Sequence, residues 1–281
     1  MILCDKVAIV GVGLIGGSIG LALRKRQLAT EIVGIGRRES SLKVAEQVGA
    51  VTCTTMSIAE GVKNAQLVIV CTPVGKIVEH VRAAATACPA NTVITDAGST
   101  KARIIEELDG RLERGVAFVG SHPLAGSEQS GPMAADADLL VDRIVVTTPT
   151  EKTNSDHIKT IDQFWQALGA RVQHMTPDEH DQCVAAVSHF PHLIASALAA
   201  ATPEEYLSFA ATGWKGTTRI ASGDVQLWQQ ILSQNPDHVL KSLDKFEECL
   251  AKYRSALQKG DWAQVTKLLE AGKQSRDTVG N

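Results

Sequence analysis

The feature that most constrains this chain is a run of glycines in its first thirty residues. Gly11-Val12-Gly13-Leu14-Ile15-Gly16 follows a β-branched apolar stretch, Val7-Ala8-Ile9-Val10, and opens a segment of helical period reaching Leu23. Between a strand and a helix, the spacing G-x-G-x-x-G has a physical meaning. The first glycine permits a tight turn, the second lets backbone approach a pyrophosphate, and the third lets helix pack on strand. The helix start adds unpaired N–H groups and partial positive charge. Gly11, Gly13, Leu14, Ile15 and Gly16 are therefore candidate dinucleotide-binding residues.

The same alternation continues downstream. Short β-branched runs at 32–35, 67–70, 92–95, 116–119, 144–146 and 171–173 are separated by segments of helical period. Their continuous apolar character suits strands covered on both faces of a mostly parallel sheet. After Met175 the starts become helix starts: Thr176-Pro177-Asp178-Glu179, Thr202-Pro203-Glu204-Glu205, Asn235-Pro236-Asp237 and Asp261-Trp262-Ala263-Gln264. The expected architecture is α/β, a Rossmann-type dinucleotide-binding domain over residues 1–175, followed by an all-α domain over 176–281. The helical half would supply one wall of a cleft and a homodimer interface.

Charge and cysteine usage narrow the partners. Lys and Arg number 28 against 31 Asp and Glu, a formal charge of −3, which gives no reason to expect nucleic acid or an anionic membrane. The six cysteines lie scattered without a C-x-x-C pair, and no secretory signal is apparent, so a reduced, cytoplasmic chain without disulfides or zinc is expected. The longest apolar stretch, 184–201, is interrupted by His189, Pro191 and His192, so no membrane span is expected.

Cofactor choice is read at the end of the second strand, where NAD enzymes place an acid on the ribose. That position is Gly36, followed by Arg37 and Arg38. Without the acid, a 2′-phosphate meets no repulsion, and guanidinium groups can grip it, so NADP is the expected cofactor. Ser40 would add a hydroxyl and cap the next helix. The competing reading makes the arginines solvated surface charge and gives the ribose to Glu39.

Ligand crevices of open α/β sheets lie beyond the carboxyl ends of the strands. Three segments fall there. Thr72 and Pro73 suit a loop close to a nicotinamide ribose, or a plain strand-to-helix turn. Ser99, in Asp96-Ala97-Gly98-Ser99-Thr100-Lys101, is a candidate polar contact or simply a helix N-cap. His122, in Ser121-His122-Pro123, is placed as a general base, being largely neutral near pH 7. In the helical half, His189 and His192 share a helix face with Pro191 between them, which suggests a kink toward the cleft. A zinc site with His180 or Asp181 as third ligand is the rival reading.

These segments resemble the prephenate/arogenate dehydrogenase family of tyrosine biosynthesis. The resemblance covers nearly the whole chain, through Gly-Val-Gly-Leu-Ile-Gly-Gly-Ser, Asp-Ala-Gly-Ser-Thr-Lys, Ser-His-Pro-Leu-Ala-Gly-Ser at 121–127, Ser-His-Phe-Pro-His and Thr-Thr-Arg-Ile-Ala-Ser. It implies oxidative decarboxylation of a cyclohexadienol acid. In that reading His122 takes the ring-hydroxyl proton while hydride leaves for the nicotinamide, and Ser99 hydrogen-bonds the histidine. Arg219 would clamp a substrate carboxylate, His192 and His189 would contact substrate, and Trp228 would wall the pocket. NADP preference and the absence of an attached mutase or regulatory domain resemble the arogenate-using branch, giving L-tyrosine; prephenate, giving 4-hydroxyphenylpyruvate, is the alternative. The chain departs from many members at Gly216, where an acidic residue stands three places before the arginine. Two other readings are a β-hydroxyacid dehydrogenase, for which Lys215 is the only candidate lysine, and a non-catalytic NADP-binding redox sensor.

Overall fold

The seven expected runs become strands, joined by one that the pattern does not show. In the computed structural model, which describes residues 3–125 and 129–280, the strands are β1 (Cys4–Val10), β2 (Ala29–Ile35), β3 (Cys53–Thr55), β4 (Leu67–Val70), β5 (Val93–Asp96), β6 (Ala117–Pro123), β7 (Ile144–Thr148) and β8 (Arg171–His174). They form one eight-stranded sheet in the order β3-β2-β1-β4-β5-β6-β7-β8. All neighbours are parallel except β6 and β7. β3 is the strand that the sequence pattern misses, because Cys53-Thr54-Thr55 sits at the sheet edge and carries little apolar surface.

Helices α1 (Leu14–Lys25), α2 (Glu39–Gln47), α3 (Ile58–Gly61), α4 (Ile77–Ala87), α5 (Ala102–Leu108) and α6 (Ser155–Ala167) connect the strands. Two apolar clusters cover the two faces of the sheet. One gathers Ile9, Ile19, Leu23, Phe164 and Trp165; the other gathers Val10, Val70, Ile77, Ile94 and Phe118. After β1 the chain winds outward through β2 and β3, then crosses back to β4 on the other side of β1. That reversal opens a crevice beyond the carboxyl ends of β1 and β4, the place where such sheets bind ligands.

The remaining chain is helical: α7 (Pro177–Val184), a π-helical turn (Ala185–His189), α8 (Phe190–Ala201), α9 (Thr212–Thr218), α10 (Val225–Gln234), α11 (Pro236–Lys259) and α12 (Trp262–Asp277). Thr176 and Glu179 form the expected capping box of α7, and Asp261 caps α12. The expected start at 202–205 differs: Pro203 caps only a 3₁₀ segment, Glu204–Phe209, with no side-chain cap. The run Pro177–Ala201 is also longer than the apolar stretch suggested, and by length and composition alone it could cross a bilayer. It instead carries buried His180, Asp181 and His189 and packs on α5.

The described residues group into two compact units, Met1–Asn235 and Pro236–Asn281. Helices α7 to α10 thus pack with the sheet. In the second unit, α11 and α12 pack on one another and expose Leu240, Leu250, Leu257, Trp262 and Leu269. All six cysteines are free: Cys88 is buried, Cys4 and Cys71 are half-buried against the core, Cys183 is half-buried, and Cys53 and Cys249 are exposed.

Candidate active site

The glycine turn is built as its spacing requires. Gly11 has φ +97°, and a Cβ there would lie 2.6 Å from the carbonyl oxygen of Cys71, so strand and loop approach too closely for any other residue. A Cβ on Gly16 would collide with the Gly11 carbonyl. Gly13 behaves differently: a Cβ there would meet no protein atom within 4 Å. Protein packing does not demand this glycine, whereas close approach of a pyrophosphate does. Leu14 and Ile15 open α1, whose first turn holds no acidic side chain to compete with phosphate. A dinucleotide therefore fits the residues present.

Around this turn, Thr72 is half-buried beside Gly11 and shares a hydrogen bond with His80 Nδ1 at 3.0 Å; exposed Pro73 precedes the 3₁₀ turn Val74–Lys76. Arg37 and Arg38 are exposed beyond β2. Ser40 is not the cap of α2. Arg38 occupies that position, without a side-chain cap, and Ser40 lies inside the first turn. Glu39, the alternative ribose acid, pairs with Lys43 at 2.8 Å.

The histidine cluster lies past β5 and β6. His122, near the end of β6, is half-buried, and its Nδ1 lies 2.8 Å from Nε2 of His180. The resemblance places Ser99 against this histidine; the partner of Nδ1 in the structure is His180. Ser99 is not a helix cap either: α5 begins at Ala102, and its first N–H groups, those of Lys101 and Ala102, are held by the Asp181 carboxylate at 2.7 and 2.9 Å. The main chain of Ser99 instead faces the His189 ring. Gly126 and Ser127 of the 121–127 motif lie outside the described residues.

Beneath the cluster lies a fully buried ion pair, Lys101 with Asp96. Asp96 also accepts the N–H of Ser121 at 2.9 Å and of Gly98 at 2.9 Å. One carboxylate thus joins the strand of His122 to the loop of Ser99. Burial pushes the His122 pKa well below 6.5, and the neighbouring His180, Lys101 and His189 push it the same way. Burial likewise lowers His189 to about 4. Both rings are neutral near pH 7.

The helical elements close over this cluster. The π-helical turn places His189 one turn ahead of His192, and both are buried. Extra residues in a turn of this kind rotate one side chain relative to the next and often mark functional sites. The ring of His192 stacks on Trp228, centroids 3.6 Å apart and planes 13° from parallel. Nδ1 of His189 lies 3.3 Å from Nδ2 of Asn235, while Nδ1 of His192 is buried without a partner among the described residues. Such atoms are costly unless a ligand satisfies them. Helix α10 is tied to the sheet half through Gln230 to the N–H of Gly75, Gln234 to Thr100, and the Ser233 carbonyl to Arg103. Arg219 is exposed on the 3₁₀ turn Arg219–Ser222, packed against the helix of His192; Lys215 is exposed on α9.

Sequence patterns singled out His122, His189, His192 and Trp228, and the structure brings His122, His189, His192 and Trp228 into one region. They missed the roles of His180, Asp181, Asn235, Lys101 and Asp96. His180 and Asp181, which look like metal ligands in sequence, bond to one another, to His122 and to the start of α5.

Such a sheet, glycine turn and neutral histidine at a strand end define a nucleotide-binding dehydrogenase. The family model described as prephenate dehydrogenase, nucleotide-binding domain, matches residues 19–174, and that described as prephenate dehydrogenase, dimerization domain, matches 176–271. A prephenate dehydrogenase of Bacillus subtilis is 32% identical over 280 residues, 97% of this chain and 76% of the relative. The crystal structure of A. aeolicus prephenate dehydrogenase in complex with hydroxyphenyl propionate and NAD+ superposes with a TM-score of 0.90, at 29% identity over 98% of each chain. Synechocystis arogenate dehydrogenase gives 0.81 at 26% identity, over 98% of this chain and 99% of that one. The chain belongs to the prephenate dehydrogenase family.

Proposed function

We propose that this chain oxidatively decarboxylates L-arogenate to L-tyrosine with NADP+. The observation that carries the ring chemistry is His122: half-buried at the end of β6, neutral at physiological pH, beside a crevice shaped for a dinucleotide. His122 takes the proton of the ring hydroxyl as a general base. The bound nicotinamide supplies the hydride acceptor. Loss of the ring carboxylate as carbon dioxide leaves its electron pair in the ring, and aromaticity makes the step irreversible.

The other residues bind and orient. Arg219 meets a substrate carboxylate with a planar fork. His189 and the buried, unpartnered Nδ1 of His192 contact substrate polar groups, and Trp228 fixes the His192 ring and walls the pocket. Ser99 contacts the hydroxyl region. Gly11, Gly13, Leu14, Ile15 and Gly16 hold the pyrophosphate, and Thr72 and Pro73 the nicotinamide ribose. Arg37, Arg38 and Ser40 take the 2′-phosphate; the engagement of Glu39 by Lys43 supports that choice over a ribose acid. In this reading the boundary near 175 separates a cofactor half from a substrate half. The exposed apolar side chains of α11 and α12, with the description of the matching family model, support a homodimer, and the enzyme works in the cytoplasm.

Prephenate is the second reading. Gly216 offers no acid to an arogenate ammonium, and the Bacillus and Aquifex relatives carry the name prephenate dehydrogenase. Steady-state kinetics with both substrates and both cofactors test the proposal. A higher kcat/KM for arogenate with NADP+ is expected, and Arg37→Ala should lower kcat/KM for NADP+ about tenfold while sparing NAD+. Equal loss with both cofactors contradicts the phosphate contact, and faster turnover of prephenate moves the substrate to the second reading.

A further inference from the structure

A histidine base has two ring nitrogens, and only the unprotonated one can take a proton. Nδ1 of His122 lies 2.8 Å from Nε2 of His180, an arrangement that by itself leaves the direction of the hydrogen bond open. The next bond in the chain decides it. Nδ1 of His180 lies 2.8 Å from Oδ1 of Asp181, and a carboxylate can only accept. Burial opposes the charge on Asp181, but hydrogen bonds from His180 and from the N–H groups of Ala102 and Lys101 outweigh it and hold the carboxyl below its usual range. With the His180 proton on Nδ1, its Nε2 presents a lone pair. The 2.8 Å bond therefore runs from Nδ1–H of His122 to Nε2 of His180.

We propose that His180 is a positioning residue that, oriented by Asp181, holds His122 in its Nδ1-protonated tautomer and so keeps the Nε2 lone pair available to the substrate. The assignment rests on His122 being the base. Its geometry is fixed from three elements: α7 carries His180 and Asp181, the start of α5 grips the Asp181 carboxylate, and Asn235 after α10 donates to the Asp181 carbonyl at 2.7 Å. The same logic operates in Asp-His-Ser triads, where a buried carboxylate selects the tautomer without being protonated. Here a second imidazole stands between carboxylate and base. When Nε2 takes the hydroxyl proton, one O–H bond breaks and one N–H bond forms; both hydrogen bonds of the chain keep their protons. The resulting imidazolium points Nδ1–H at a neutral ring backed by a negative charge. The other charged or titratable groups around it are Lys101 with Asp96, and His189.

His180→Leu removes the acceptor, and His180→Gln restores one, because a glutamine Oε1 reaches the position of the histidine Nε2. The expected result for His180→Leu is a kcat about 10²-fold lower, with cofactor affinity and substrate KM changed by no more than about twofold. His180→Gln should recover about tenfold of that loss. Ring ¹⁵N NMR of histidine-labelled protein should show His122 protonated on Nδ1 in the wild type and on Nε2 in His180→Leu. Wild-type kcat in His180→Leu overturns the proposal, as does a wild-type His122 protonated on Nε2, a measurement that needs no variant to fold. His122→Ala assayed alongside separates the two levels: if it loses kcat while His180→Leu does not, only the positioning role fails. If His122→Ala keeps kcat, the assignment of the base fails with it.

Discussion

Neutral imidazoles set the pH behaviour of this molecule. His122, His180 and His189 are all held below the ordinary histidine value, in each case chiefly by burial, with His189 at about 4. Between that value and about 6.5 the unfolded chain binds protons that the folded chain refuses, so stability is full above about pH 6.5 and falls as pH drops toward 4. For His189 alone the loss between about pH 8 and pH 5 is on the order of 2 kcal/mol. His122 and His180 act in the same direction, whereas the Asp181 carboxylate adds to the loss only below about pH 3.8. Urea midpoints at the two pH values measure it: a lower midpoint at pH 5 is expected, and an equal or higher one contradicts neutral burial. Sequence shows His122 because a histidine before proline at a strand end has few structural reasons to exist. The role of His180 is invisible there, since its meaning comes from a contact 58 residues away.

At the scale of elements, legibility followed how local the cause was. Five strands after the first could be placed because β-branched runs covered on both faces carry their own signal, whereas β8 is an exposed edge strand with a single valine; the capping box at Thr176 is complete within four residues. The edge strand β3, the π-helical turn at 185–189 and the cross-element cap of α5 by Asp181 depend on partners far along the chain. The wall over the cluster shows the same dependence. A Cβ on Gly223 would lie 2.6 Å from Nε1 of Trp228 and 3.2 Å from Cε1 of His192, so only glycine lets the loop before α10 pass beneath the stacked pair. Gly223→Ala should displace the indole and raise substrate KM by about tenfold, while cofactor affinity, measured by fluorescence titration, stays unchanged. A normal KM would show that the stack does not shape the substrate site.

The whole molecule joins two independent requirements. A doubly wound sheet presents a glycine turn at its reversal point, and helices α7 to α10 pack with that sheet so that His180 meets His122, with His189 nearby and the His189 and His192 rings against Trp228. In the proposed reading the near-neutral charge of the chain conceals this division, because the groups it assigns are few: Arg37, Arg38 and Arg219 to anions, and uncharged histidines to proton transfer. Single-turnover and steady-state reduction of the cofactor by wild type and His122→Ala, with arogenate and with prephenate, tests the central assignment most directly. A wild-type kcat/KM whose acid limb lies below about pH 6.5, and a His122→Ala kcat lower by about 10²-fold or more with cofactor affinity retained, is the predicted result. A His122→Ala enzyme that reduces the cofactor at the wild-type rate would contradict it.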